Sequence, residues 1–351
     1  MTPVPGPPGE HDVVTSAPHP RATGGPGLAW EPRRLLLGLL FALPAAIVTA
    51  FDAELGIALA LGVLPAASLG LPPRRAGRLR YLLVGSAVAL GMTIGSVLAG
   101  LPVLALIVLF AACVAAALFS TTGPVGALVL ALGVPMIGIG LSFTDVESVL
   151  PLAVAMLTGA VWCLLVSLAW PEREQRPPAP DPHPPAMLGF GIRLGLAAVI
   201  AATIGFVLGL DHVGWAVGAV LLVMRPSTEL VLSRALARAA SVVLGALVGG
   251  AFMLLIPPPW LMGVAALLAL ATLTALSGSR WYITGFFGTF LVFMLLLQGD
   301  PADVAHRFWE RSLETVLGVT LALLFGVLIP WIGGPLRPRP PVAGDGVSRA
   351  G

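Results

Sequence analysis

The chain has 351 residues, of which 57% are hydrophobic and 10% charged, with a formal net charge of +2. Its apolar residues gather in runs of about 17–22, each long enough to cross a hydrocarbon core of about 30 Å. A soluble globular domain has no place for so many such runs. A transmembrane barrel is excluded as well, because whole helical turns are apolar rather than every second residue. The fold class expected is all-α, a polytopic membrane protein.

Residues 1–30 are rich in Pro, Gly, Ser and His and lack apolar periodicity, so they read as a disordered tail. Apolar runs follow at 35–51, 55–71, 81–99, 102–119, 125–141 and 149–170. A polar, proline-rich linker spans 171–187, and a second set follows at 188–209, 213–224, 239–256, 260–276, 281–298 and 312–331. Residues 335–351 read as a second tail. The expectation is about twelve transmembrane helices, as a first membrane unit over 31–170 and a second over 188–334. Pro44, Pro65 and Pro135 fall inside runs, as prolines often do in membrane helices. Cys113 and Cys163 also lie inside runs and read as buried, inert thiols.

Every basic residue is arginine, and the arginines are unevenly placed. One alternating set of connections holds Arg33, Arg34, Arg74, Arg75, Arg78, Arg80, Arg173, Arg176, Arg193, Arg225, Arg234, Arg238, Arg280, Arg337 and Arg339. The other holds Arg307 and Arg311 among Asp52, Glu54, Asp145, Glu147, Asp211, Asp300, Asp303 and Glu310. Positive charge marks the cytoplasmic face, so both termini and the linker are expected there, in a cell membrane.

The two units are related. A shift of about 160 residues places Arg33 on Arg193, Arg74 on Arg234, Arg78 on Arg238 and Gly85 on Gly245. Each unit begins on the inner side with an even number of spans, so the expected arrangement is two parallel six-helix repeats.

Candidate site residues follow from charge and position. Arg225, Ser227, Arg234 and Arg238 in one unit, with Arg74 and Arg78 in the other, would form a cationic inner mouth that recruits an anionic small molecule. Asp211, His212, Arg311 and Glu314 are candidates for a gate or for proton coupling. Trp215, Trp281, Tyr282 and Thr284, with Thr93, Thr203 and Thr289, could line a path. No paired catalytic groups and no metal-ligand spacing occur, so no enzyme, cofactor, metal or nucleic-acid partner is expected. The partners expected are the lipid bilayer and a small-molecule substrate, and homo-oligomerisation is left open. The G-x-x-x-G pairs Gly91–Gly95 and Gly245–Gly249 read as close helix packing.

The stretch Trp215, Arg225-Pro226-Ser227, Arg234, Arg238, Gly245, Gly249, with the later Arg311, Glu314, Thr315 and Gly318, resembles the fusaric acid resistance and aromatic acid exporter superfamily. The resemblance is strongest over 188–331. It implies an inner-membrane exporter of aromatic carboxylates or related toxic compounds, driven by the proton gradient. Many members carry a soluble domain between their membrane halves; the linker here is far too short for one. A non-transporting membrane scaffold is the alternative.

Overall fold

The computed structural model describes residues 30–172, 184–210, 212–224, 232–277, 283–298 and 301–332. The first half contains α1 (Pro32–Phe51), α2 (Ala53–Leu69), the one-turn α3 (Arg75–Arg78), α4 (Arg80–Ala99), α5 (Pro102–Phe119), α6 (Pro124–Leu128), α7 (Val134–Gly140) and α8 (Val146–Leu168). The second contains α9 (Pro184–Leu208), α10 (Gly214–Val223), α11 (Leu232–Leu254), α12 (Pro259–Ala275), α13 (Ile283–Leu296), α14 (Pro301–Leu323) and α15 (Ile329–Ile332). All elements among the described residues are helical.

Local chemistry sets many of the boundaries. Asp52 caps α2 by accepting from the Leu55 amide at 3.0 Å, and Asp145 caps α8 by accepting from Glu147 at 3.1 Å. Prolines open α1, α5 and α12, where the first amides need no intrahelical partner. Gly70 closes α2 at a φ of 62°. π-helical turns at Val129–Gly133 and Leu324–Leu328 each stand just before a proline, Pro135 and Pro330. A proline ring clashes with the carbonyl four residues back, and widening the preceding turn relieves the clash.

Five helices among the described residues have the length and hydropathy to cross a membrane: Pro32–Phe51, Arg75–Ala99, Pro102–Thr122, Val146–Leu168 and Met187–Leu208. Shorter apolar helices stand at the other expected runs. The difference from the sequence expectation is one of length, and burial explains it for four of the seven. Every residue is buried from Gly56 to Ala67 in α2, from Val134 to Gly140 in α7 and from Gly288 to Leu296 in α13, as is all of α10 except Leu222. These four helices form the interior. The apolar side chains left exposed lie on the helices around them: Leu43 and Ile47 on α1, Leu90 and Ile94 on α4, Val154 and Leu165 on α8, Leu196 and Ile200 on α9. Large exposed apolar surfaces of this kind face lipid. An apolar run that protein surrounds on all sides carries no such stripe, and it need not match the bilayer thickness by itself.

The packing is reciprocal between the halves. Helix α1 lies on α12 as α9 lies on α5, and α2 lies on α8 as α10 lies on α14. Helix α4 touches α7 and α8 as α11 touches α13 and α14, while α2 meets α13 as α10 meets α7. Exchanging α1, α2, α4, α5, α7 and α8 for α9 to α14, in that order, returns each of these pairs; the contact of α2 with α12 stands outside the exchange, since α10 has no comparable contact with α5. Two apolar cores result. The larger gathers α1, α2, α4, α8, α12 and the end of α13; the other gathers α5, α9, α10 and the end of α14. Each core thus draws on the opposite half of the chain, the first on α12 and α13 and the second on α5 and on Val134 and Ile137 of α7. Cys113 and Cys163 are buried free thiols within these cores.

Candidate functional site

A cavity of about 20 Å³ lies in the interior of the second half. Its wall is formed by Ile139 of α7, Trp215, Gly218, Ala219 and Leu222 of α10, Val242 of α11, Thr289, Val292 and Phe293 of α13, and Thr315 of α14. Close backbone approach holds α10 in place there. A side chain at Gly214 would collide with the Gly138 carbonyl of α7, and one at Gly318 with the Ala216 carbonyl of α10. The Trp215 and Phe293 rings meet edge to face, with centroids 4.8 Å apart and planes at 82°, the arrangement their quadrupoles favour.

Polar groups in the wall are few. Thr289 is 4% exposed, and its Oγ1 has no hydrogen-bond partner. Thr315 is buried beside Glu314, itself 5% exposed on α14. None of the described lining residues is charged. The arrangement suits a small apolar or aromatic group touched by a hydroxyl.

The candidate path residues separate clearly. Trp215 and Thr289 line the cavity. Thr284 is half-buried one turn earlier on α13. Thr93 and Thr203 instead return their hydroxyls to the Ala89 and Val199 carbonyls, at 3.0 and 2.8 Å, with Thr203 exposed. Trp281 and Tyr282 lie outside the described residues.

Among the candidate recruiting residues, Arg74 is exposed at the start of α3, whereas Arg78 is fully buried. The Arg78 guanidinium donates to the carbonyls of Ser167, Trp170 (2.9 Å) and Pro171 (3.2 Å), which are the last acceptors of α8 and the residues after it. It therefore occupies the C-terminal end of a helix, where cations are favoured, and presents nothing to a mouth. The shared face expected from four-residue spacing is lost because α3 is a single turn. Neighbouring contacts lock the same end of the bundle. The Arg75 amide donates to Glu172 Oε1 at 2.8 Å, Arg34 donates to Ser277 Oγ at 2.9 Å, and the Tyr81 hydroxyl donates to the Gly70 carbonyl at 2.6 Å. Nothing in the sequence pattern pointed to Arg78 as a helix cap, since its acceptors lie about ninety residues away.

Arg225, Ser227 and Asp211 lie outside the described residues. Arg234 and Arg238 are on α11 and Arg311 is on α14, with side chains outside those described. His212 is half-buried in the turn before α10, and its Nδ1 has no partner. No group of three or more metal-ligating side chains occurs among the described residues. Sequence reasoning missed Phe293, Val242 and the role of Thr315 in the wall; an apolar run gives no signal of which residues face an interior gap.

Residues 200–325 match the family described as fusaric acid resistance protein-like. That stretch contains every lining residue of the cavity except Ile139. No curated protein and no solved structure gives a significant match to the chain.

Proposed function

We propose that this chain, whose residues 200–325 match the fusaric acid resistance protein-like family, is an exporter of small amphipathic compounds, aromatic acids among them, across the cell membrane. The observation that carries the reading is the position of the cavity. It sits chiefly among the short, largely buried α7, α10 and α13 inside a shell of lipid-exposed helices, and all but Ile139 of its wall falls within the stretch that the family covers. Transporters commonly place their substrate sites at such interior, interrupted helices where repeats meet.

The finer features belong to the same proposal. The reciprocal helix pairs support two parallel repeats. So do two matching seams: Gly91 and Gly95 of α4 approach the Gly133 and Ile137 carbonyls, while Gly245 and Gly249 of α11 approach the Phe286 and Phe290 carbonyls. The match pairs Gly91 with Gly245, a somewhat shorter shift than the sequence alone suggests. Arginine placement favours cytoplasmic termini, an exposed Arg74 collecting anions on that side, and the proton gradient as the driving force.

A strain lacking the protein, challenged with a panel of aromatic acids and unrelated toxic compounds, tests the reading. Sensitivity to one chemical class, restored by the intact gene, is the expected result. Unchanged sensitivity to all of them, together with co-purification of a stoichiometric membrane partner, would favour a scaffold instead.

A further inference from the structure

We infer that the cavity beside Trp215 is a single binding site for uncharged aromatic molecules that carry a hydrogen-bond acceptor, weak acids in their protonated form included. The inference rests on the transport reading and specifies what that reading leaves open, the charge state in which a substrate crosses the interior.

Charge is the first argument. The ten lining residues include no Asp, Glu, Arg or His. An ion placed there would lose its water and find no counter-charge among these described residues, the condition under which charged groups inside a membrane protein are disfavoured. An exporter can collect anions at an arginine-bearing mouth and still pass them through this point only when they are neutral.

The second argument is Thr289. Thr49, Thr93, Thr158, Thr203, Thr274 and Thr320 all return their hydroxyls to the carbonyl four residues back. That bond is the default for a threonine in an apolar helix. Thr289 is 4% exposed, lines the cavity and has no partner for its Oγ1. A buried hydroxyl without a partner is costly, and a ligand acceptor in the cavity would supply one. The edge-to-face pair of Trp215 and Phe293 gives a flat ring an aromatic wall to lie against. At about 20 Å³ the cavity is water-sized. A ring therefore needs α7, which contributes only Ile139 to the wall, to part from α10.

The matching positions of the first half are filled differently. The glycine–carbonyl seams fix the correspondence between the halves: Thr289 stands where Met136 stands, and Thr315 where Met156 stands. Both methionines are buried, at 5% and 0% exposure, and belong to the larger apolar core. Two flexible apolar side chains fill in one half what two hydroxyls border in the other.

Titration calorimetry on the intact protein in detergent at pH 7.5, with benzamide, benzoate and benzylamine as probes, tests the inference. Benzamide should bind with one molecule per chain, and benzoate and benzylamine at least tenfold more weakly. Thr289→Val should weaken benzamide about three- to tenfold, the worth of one hydrogen bond, with no change in melting temperature. Benzoate binding as tightly as benzamide, two molecules per chain, an unaffected Thr289→Val variant, or no benzamide binding at all would each overturn it. Efflux from reconstituted vesicles reports on the transport reading separately. Flux without benzamide binding removes this site and leaves the transporter; benzamide binding without flux does the reverse.

Discussion

A guanidinium with no exposed surface must have its charge answered by the protein around it, and Arg78 is answered by three carbonyls at the end of α8. Truncating it would leave those acceptors buried beside a void. Arg78→Ala is therefore expected to destabilise the fold by about 3 kcal/mol, read as a lower melting temperature in detergent. Arg74, exposed one turn earlier, is the contrasting case. Arg74→Gln should leave the melting temperature unchanged and lower the rate at which an aromatic acid leaves loaded vesicles. An equal loss of stability in both variants would contradict this division of roles. The sequence made the two arginines look equivalent because spacing reports only on a continuous helix. The chain turns after Arg78, and its acceptors come from a distant helix. Trp215 was legible as a candidate because a large aromatic residue stands out in an apolar run; Thr315 and Val242 were not, since nothing in their neighbours distinguishes a residue facing a gap from one facing a core.

At the scale of the helix, the positions of the apolar runs were legible to within a few residues, because runs of this length have few alternatives. Their depth was not. Helices α2 and α10 are as apolar as α1 and α9, yet they are enclosed by protein while the latter meet lipid. Apolarity measures aversion to water and does not distinguish lipid from protein as the neighbour. Helix association in lipid depends on close packing instead, which makes the glycine seams the sensitive points. Gly245→Leu drives a side chain into the Phe286 carbonyl, and Gly91→Leu into that of Gly133. Each is expected to cost about 1–3 kcal/mol, seen as earlier thermal aggregation. Gly100→Leu, with open space around its Cβ position, should change little. Equal damage at all three sites would show that general helix propensity, not the seams, decides.

Over the whole molecule, the halves are exchanged rather than side by side. Helix α5 lies on α9, where Gly191 meets Val114 and Ala117, and α1 lies on α12, where Gly38 meets Ala271 and Thr274. Motion of one sequence half against the other would have to tear both contacts, so the moving boundary is expected where the cores meet, at α7 against α10. Cysteines at Ala117 and Gly191, with Cys113 and Cys163 changed to Ala and a protease site placed in the 171–187 linker, check the exchange. The cleaved halves should stay joined on a non-reducing gel and separate on reduction; halves that separate without reductant would contradict it. The expectation of two repeats rested on the spacing of arginines and glycines, and a shift of register along the chain carries no information on which half supplies which wall. Efflux of a labelled aromatic acid from vesicles reconstituted with the purified protein tests the account most directly. The account predicts protein-dependent efflux that quickens when a pH gradient is imposed and falls when a protonophore dissipates it; efflux no faster than from protein-free vesicles, for every aromatic acid tried, would contradict it.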